Sequence, residues 1–469
     1  MSFYVFNSLG KQREEFVPLE ENQVKLYTCG PTVYNFAHIG NLRTYIFEDV
    51  LKKSFEYLGY KVNHVMNITD VGHLQSDADT GEDKMELGAK RENKTVWEIA
   101  KFYENAFFDD CHKLNIKRPS VVCRATEHIP EMIDLVKKLE DRGYTYISNG
   151  NVYFEIDKFK DYNKLANLTM EELEAGSRIE VDENKKNPLD FVLWFTNSKF
   201  KNQIMQWDSP WGRGFPGWHL ECSAMSMKYL GERIDIHCGG IDHIPVHHTN
   251  EIAQSEGALG HKWVNYWMHG EFLVVDGGKM SKSSGDFLTL SRVIEEGFKP
   301  LDYRYFCLQS RYRKQLLFSF DALRDAANSL KKLKNKISLI VKDASENDTL
   351  DMTKVKAYKE KFAEQISDDL NMPNALTVLS DVIKDTQLNS REKTTLIEAF
   401  DSVLSLDLMI EDQNDLAGVD ENLINQLIAE RNEARAVKNW AKADEIRDKL
   451  NEMNIELVDT KEGVTWKQK

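Results

Sequence analysis

The chain has 469 residues, enough for about three domains at roughly 150 residues each, so a lone small module is excluded. Hydrophobic residues make up 41% and charged residues 29%, with 25 Gly and 10 Pro, which excludes collagen-like, disulfide-scaffold and wholly disordered chains. The 76 acidic residues outnumber the 61 Lys and Arg to give a net charge of −15, so any nucleic-acid contact has to use local basic patches rather than bulk charge.

Apolar runs such as Phe272–Val275 fall far short of the roughly 20 residues a spanning helix needs, and with a mean hydropathy of −0.51 no membrane partner is expected. The first eleven residues show no basic segment leading into an apolar core and a small-residue cleavage site, so a cytoplasmic location is expected. The six cysteines, at 29, 111, 123, 222, 238 and 307, show no paired short spacing. They read as free thiols or metal ligands rather than a disulfide framework.

Residues 24–69 read as one β-α-β unit: a strand Val24–Cys29, a turn at Gly30-Pro31, a helix from about Ile39 to Leu58 and a strand Lys61–Thr69. Ile46, Val50, Leu51, Phe55 and Leu58 recur at helical spacing, and Gly59 stands where a helix-terminating glycine would. The pattern favours a parallel sheet. The polar stretch 76–94 is expected to be a surface loop leading into a helix Val96–Leu114.

Residues 145–217 carry a turn signal at Asn149-Gly150-Asn151 and the helix breakers Pro188, Pro210 and Pro216, so they read as an insertion between two halves of the sheet. Seven of the twelve histidines fall in 218–275, followed by a strand Glu271–Val275 that Asp276-Gly277-Gly278 closes before a loop. Chemistry is expected to concentrate there. Beyond residue 300 there are one proline, Pro373, and two glycines, Gly418 and Gly463, so the last third is expected to be helical. Arg311–Lys342 carries nine basic residues against two Asp, while Asp401–Glu430 carries eight acids and no Lys or Arg. Such blocks read equally as solvated helix faces.

Two motifs point to anionic chemistry. His38-Ile39-Gly40-Asn41 lies where a strand passes into a helix N-terminus, where unpaired N–H groups and the helix dipole favour an anion; a capping role for His38 is the plainer alternative. Lys279-Met280-Ser281-Lys282-Ser283 places two cations three residues apart on a loop, able to neutralise charge on a leaving pyrophosphate. A third group, Cys29, Cys222, His247 and Glu251, offers two thiols, an imidazole and a carboxylate, with His247 and Glu251 one helical turn apart. These would suit a tetrahedral zinc site, or three ligands and an open position, although spacing alone does not separate them from cysteines packed as small hydrophobes.

In that order, on either side of an insertion, the first two motifs resemble the H-I-G-H and K-M-S-K-S motifs of class I aminoacyl-tRNA synthetases. Asn41 stands where the family has a second His; it still donates hydrogen bonds but carries no charge. The segments Tyr27–Tyr34, Gly217–Met225 and His247–Ser255 resemble the zinc-bearing segments of the cysteinyl-tRNA synthetase family, and the resemblance covers essentially the whole chain.

The resemblance implies an α/β Rossmann-like catalytic domain with an insertion, followed by an all-α helical-bundle and anticodon-binding C-terminal region. The boundaries it implies are 1–144 and 218–275 for the two catalytic halves, 145–217 for the insertion, 276–310 for the lysine-motif loop and stem-contact region, 311–414 for the bundle and 415–469 for the anticodon end. It implies Cys29, Cys222, His247 and Glu251 as zinc ligands, with His248 the competing neighbour of His247. Cys29, Gly30, Thr69, Trp218 and His237 would surround cysteine, with core packing the plainer reading of Trp218. His38, Gly40, Asn41, Gly240, Asp242 and Lys282 would bind ATP, and His38, Lys279 and Lys282 would be catalytic. Arg435, Trp440, Asp444 and Asp459 would read the anticodon, Trp440 by stacking; without the resemblance Trp440 reads as helix packing.

The implied function is ligation of cysteine to its tRNA through cysteinyl-adenylate, with L-cysteine, ATP and cysteine tRNA as partners, Zn²⁺ as cofactor, Mg²⁺ accompanying ATP, and a monomeric chain. A soft thiolate binds Zn²⁺ far better than a hydroxyl does, so serine could be rejected in one step and no editing domain should be needed. The insertion looks too short and irregular to be one. The rival readings are a ligase joining cysteine to an amino sugar, which would have no use for the Trp440 platform, and a non-catalytic RNA-binding relative, which would have no reason to retain both lysines and all four metal candidates.

Overall fold

Two β-α-β crossovers that depart in opposite directions from neighbouring strands build the centre of the structure. In this computed structural model the described residues are 1–70, 94–167, 183–197, 204–275, 278–279, 288–410, 421–436, 439–452, 455–460 and 463–468. They form two compact units, Met1–Leu408 and Met409–Lys469.

The first unit opens with an antiparallel pair, β1 (Tyr4–Asn7) and β2 (Gln12–Glu15). The expected β-α-β unit follows as β3 (Gln23–Thr28), α1 (Ile39–Tyr57) and β4 (Lys61–Ile68), with β3 and β4 parallel. Past the end of α1, Gly59 takes φ +89°, the left-handed backbone that a side chain would resist. The expected loop at 76–94 lies outside the described residues apart from its last residue, Lys94. Then α2 (Val96–Lys113) starts from a Thr95/Glu98 capping box, and β5 (Val121–Arg124) and α3 (Ile129–Asp141) complete the first half.

The described part of the insertion is regular rather than irregular. β6 (Thr145–Ser148), β7 (Asn151–Phe154), β8 (Phe191–Phe195) and β9 (Phe215–Pro216) form an antiparallel sheet, with Asn149 and Gly150 at positive φ in the β6–β7 turn. Its strands are short and β7 and β8 are buried throughout, so they lack the polar alternation that marks a half-exposed strand.

The second half contains α4 (His219–Leu230), β10 (Ile234–Gly240), a π-turn Ile244–His248, α5 (Thr249–Leu259) and β11 (Val264–Gly270). The central sheet has the order β11-β10-β3-β4-β5, parallel throughout. The chain runs outward to β4 on one side of β3 and to β11 on the far side of β10, so a crevice opens at the carboxyl ends of β3 and β10.

The predicted strand at 271–275 is β12 (Leu273–Val275), which pairs antiparallel with β13 (Gly278–Lys279). After α6 (Leu290–Glu295) and α7 (Pro300–Leu308), β14 (Leu316–Phe318) pairs parallel with β12. Helices α8 (Phe320–Asp343), α9 (Met352–Ile366), α10 (Met372–Lys384) and α11 (Ser390–Leu404) follow. Arg304 of α7 joins them to the part built on the parallel sheet. Fully buried, its guanidinium pairs with Asp49 of α1 at 2.7 Å and donates to the carbonyls of Leu114 and Leu404 at 2.9 and 2.7 Å. Among the described residues no helix is long and apolar enough to cross a membrane.

The second unit contains α12 (Glu421–Ala436) and α13 (Trp440–Glu452), packed through Ile424, Leu427, Ile428, Ile446 and Leu450. It then departs from the all-helical expectation: β15 (Ile455–Thr460) and β16 (Gly463–Gln468) form an antiparallel ribbon. Ile455 and Leu457, alternate residues on one face of β15, pack against the two helices.

Candidate active site and metal centre

The crevice where β3 and β10 end holds a cleft of about 390 Å³. Cys29, Gly30 and Trp218 line its base, while His38, Gly40 and Asn41 line the end formed by the α1 N-terminus. Gly240, the last residue of β10, and Asp242 beyond it complete the opposite wall, and Phe272 and Leu273 cover it at the start of β12.

At the base, four residues from separate elements converge. Cys29 follows β3, where its N–H donates to the Cys238 carbonyl at 3.2 Å. Cys222 comes from the first turns of α4, His247 from the π-turn and Glu251 from the first turn of α5. Cys29 Sγ lies 3.9 Å from Cys222 Sγ and 3.7 Å from His247 Nε2. His247 Nε2 is 3.5 Å from Cys222 Sγ and 2.9 Å from Glu251 Oε1. All four side chains are buried, and their donor atoms lie within 4.8 Å of one another. A soft, mixed sulfur, nitrogen and carboxylate set of this size fits a zinc ion.

A second grouping, Cys29, His237, His248 and Glu251, overlaps the first. His248 Nε2 reaches Cys29 Sγ at 3.3 Å, but its other nitrogen meets His269 Nε2 at 2.7 Å, and His269 in turn meets Ser8 Oγ at 2.7 Å. Trp218 is not packed into the core: it is half-buried and lies flat on the His247 ring, with centroids 3.8 Å apart and planes 11° apart. Thr69 and His237 lie behind the cleft surface. Thr69 Oγ1 donates to Glu221 at 2.7 Å, and His237 Nε2 meets Glu251 Oε2 at 3.0 Å, so His237 orients one of the four converging residues.

The electrostatics prepare these groups. Burial pushes the Cys222 thiol up, but the hydrogen bond with Cys29 and the nearby His247 outweigh it and bring Cys222 down to about 6. Burial alone would keep His247 neutral, yet Glu251 and Cys222 raise it to about 10. Glu251 is held down to about 2 by His237 and His247 against the burial that opposes them. Cys29 is raised, first by burial and then by Cys222. These shifts favour the anions of Cys222 and Glu251, whose two negative charges a divalent cation would balance once His247 gives up its proton to ligate it.

At the other end of the cleft, His38 does cap α1: its Nδ1 accepts from the Asn41 N–H at 3.0 Å. Its ring still borders the cleft. Gly240 allows Asp242 to fold back, since a Cβ there would lie 2.4 Å from the Asp242 carboxylate. Lys279 is described only as backbone, paired with Val274, and Lys282 lies outside the described residues. The cleft also uses residues that motif reading passed over, Tyr34, Phe36, Thr44, Tyr45, Tyr103 and Phe107. Tyr34 closes the segment Tyr27–Tyr34 and Phe36 falls between it and His38-Ile39-Gly40-Asn41, positions that could have flagged them.

In the second unit, Trp440 is 58% exposed at the start of α13, which removes it from the helix core. Arg435 is exposed in the last turn of α12, and Asp444 is exposed and paired with Arg447 at 3.1 Å. Asp459 lies opposite Val464 in the terminal ribbon, and its side chain is outside the described residues.

Residues 15–328 match the family described as tRNA synthetases class I (C) catalytic domain, and residues 422–466 match the cysteinyl-tRNA ligase anticodon binding domain. A Treponema denticola protein named cysteine–tRNA ligase is 52% identical, with all of both chains covered. A protein of the same name from Borreliella burgdorferi is 47% identical, again with all of both chains covered. The solved structure of Mycobacterium tuberculosis methionyl-tRNA synthetase in complex with methionyl-adenylate superposes with a TM-score of 0.56 at 15% identity, covering 82% of this chain and 90% of that one, and so shares the fold. By these matches the chain belongs to the class I aminoacyl-tRNA synthetases, within the cysteine–tRNA ligase family.

Proposed function

We propose that the chain activates L-cysteine with ATP and transfers it to the 3′-terminal ribose of cysteine tRNA. The observation that carries this reading is the convergence of Cys29, Cys222, His247 and Glu251 at the base of a cleft whose other end is the α1 N-terminus. A cysteine side chain held at that base directs its carboxylate toward a nucleotide whose phosphates lie at the helix end.

In the first step a cysteine carboxylate oxygen attacks the α-phosphorus, and the bond to pyrophosphate breaks with its electron pair leaving on pyrophosphate. His38, Gly40 and Asn41 supply donors at the helix N-terminus, while Lys279 and Lys282 neutralise charge on the departing group. Gly240 and Asp242 hold the adenosine, with the Asp242 carboxylate accepting from ribose hydroxyls. In the second step the tRNA ribose hydroxyl attacks the acyl carbon, the acyl–oxygen bond breaks with its electron pair leaving on AMP, and the hydroxyl proton passes to a phosphate oxygen of the departing AMP.

Cys29, Cys222, His247 and Glu251 would hold Zn²⁺, which supplies a soft acceptor that favours a thiolate over a neutral hydroxyl. His237 and Trp218 keep Glu251 and His247 in place. ATP is expected to bring Mg²⁺ on its phosphates. Arg435, Trp440, Asp444 and Asp459 form the anticodon platform. The protein works as a 54.3 kDa monomer in the cytoplasm, in this reading.

ATP–pyrophosphate exchange dependent on cysteine, followed by charging of cysteine tRNA, tests the reading. Exchange without charging would favour ligation to an amino sugar, and absence of both would favour a non-catalytic relative.

A further inference from the structure

A second cavity, of about 320 Å³, lies behind one wall of the catalytic cleft. Tyr45 and Phe107, packed edge to face with centroids 4.8 Å apart, line both spaces. Behind them Glu48 projects from α1, His64 and Met66 from β4, and Phe108 and Cys111 from α2. Lys117 and Arg118 are exposed at the mouth; Lys117 is paired with Glu56 at 2.9 Å, so the rim is basic through Arg118, which lies over the Phe108 ring at 3.9 Å.

The floor is polar and only partly satisfied. Glu48 is 1% exposed, and its carboxyl has the Thr28 hydroxyl beside it, a group that also meets His64 Nε2 at 3.0 Å. His64 is 3% exposed, and its Nδ1 has no partner among the described residues. Burial raises Glu48 well above the usual carboxylate range, which the Thr28 hydroxyl only partly offsets, and it lowers His64 to about 3. A carboxyl kept dry with a single shared hydroxyl beside it is costly, and an apolar side chain of similar size would serve packing better. Neither group has a part in the chemistry assigned above.

A carboxyl and an imidazole nitrogen on one floor together satisfy a ligand that both donates and accepts. The walls, Tyr45, Phe107, Phe108 and Met66, suit a flat ring, and the basic mouth disfavours a cation. We propose that this cavity binds a flat, uncharged, amino-substituted heteroaromatic molecule, whose exocyclic N–H and ring nitrogen pair with Glu48 and His64. The inference stands apart from the proposed reaction.

Methyl-¹³C-methionine labelling of the full chain places a reporter in the wall at Met66, assigned with Met66→Leu. Titration with 2-aminobenzothiazole should shift the Met66 signal saturably, and saturating ATP should leave that shift in place. The isostere 2-methylbenzothiazole, which lacks the donor, should bind about tenfold more weakly or worse. In Glu48→Met, which removes the buried carboxyl and should melt no lower than the parent, the two probes should become equivalent. An unresponsive Met66, displacement by ATP, or equal binding of both probes to the unsubstituted protein would overturn the proposal. Should Glu48→Met fail to fold, the comparison of probes on the unsubstituted protein decides alone.

Discussion

Adding one methyl group at Gly30 should disable the proposed zinc site without touching any of its four proposed ligands. Gly30 follows Cys29 where the chain leaves β3, and its N–H donates to Asn67 Oδ1 at 2.8 Å. A Cβ on Gly30 would stand 1.6 Å from the Asn67 carbonyl oxygen and 2.8 Å from its carbon, both backbone atoms adjoining a paired parallel strand. Restoring even a 3.0 Å contact needs a retreat of about 1.4 Å from that 1.6 Å starting point. Cys29 is the adjacent residue, so its sulfur should move by roughly an ångström, several times the ~0.2 Å tolerance of metal–ligand distances. Misplacement on that scale costs about 100-fold in rate, and the overpacking itself about 1–3 kcal/mol of stability. The start of α1 has its own anchor, the Ile39 N–H donating to the Leu288 carbonyl at 2.8 Å, so KM for ATP should change little. Metal analysis and cysteine-dependent pyrophosphate exchange on Gly30→Ala read both effects. A folded variant with a full equivalent of zinc and the parent's KM for cysteine would refute the argument.

Cys222→Ala removes the thiol that the site itself keeps ionised, and should lower zinc content together with cysteine-dependent exchange; a full equivalent of zinc with unchanged exchange would count against the ligand assignment. His64, held down to about 3 in the fold against 6.5, leaves the unfolded chain binding the extra proton between those values. Stability is then lost as pH falls from 6.5 toward 3, by about 2 kcal/mol at pH 5 from this group, and His64→Gln should flatten the acid limb of a Tm–pH profile; an unchanged slope contradicts this. Trp440→Ala should cost about 1–3 kcal/mol in tRNA recognition and leave exchange and Tm alone; a joint fall of exchange and Tm with tRNA affinity intact would make it a core residue. Lys282→Ala should lower kcat for adenylate formation far more than it raises KM for ATP, and pre-steady-state rates showing only a KM effect would remove its transition-state role.

What could be read from the sequence depended on how local the physics was. The β3-α1-β4 unit was legible because its apolar positions recur at helical spacing and Gly59 marks the stop. The metal centre was not legible from spacing, since Cys29 and Cys222 stand 193 residues apart and meet only because β3 and β10 become neighbours. Family resemblance supplied that grouping. The preference for His247 assumed a regular helical turn; the turn is a π-turn, yet His247 and Glu251 still meet at 2.9 Å, while His248 faces His269. The ribbon after Glu452 was missed because its alternation occupies only a few residues in a helix-rich third. Glu48 reads in sequence as an ordinary polar helix residue, and only packing against α2 and β4 takes it out of water.

Arg304 has a consequence for how the first unit comes apart. Its guanidinium is dry and joins α1, the end of α2 and the end of α11. Pulling α1 away would strand the guanidinium without its counter-charge at a cost of about 3–5 kcal/mol, and losing either carbonyl would leave a buried N–H unpaired at about 1–3 kcal/mol. The helices beyond β14 therefore cannot be peeled off as a detachable appendage while the nucleotide end stays folded. Heat should melt Met1–Leu408 in a single cooperative transition, so loss of the capacity to activate cysteine and loss of the helical bundle are one event.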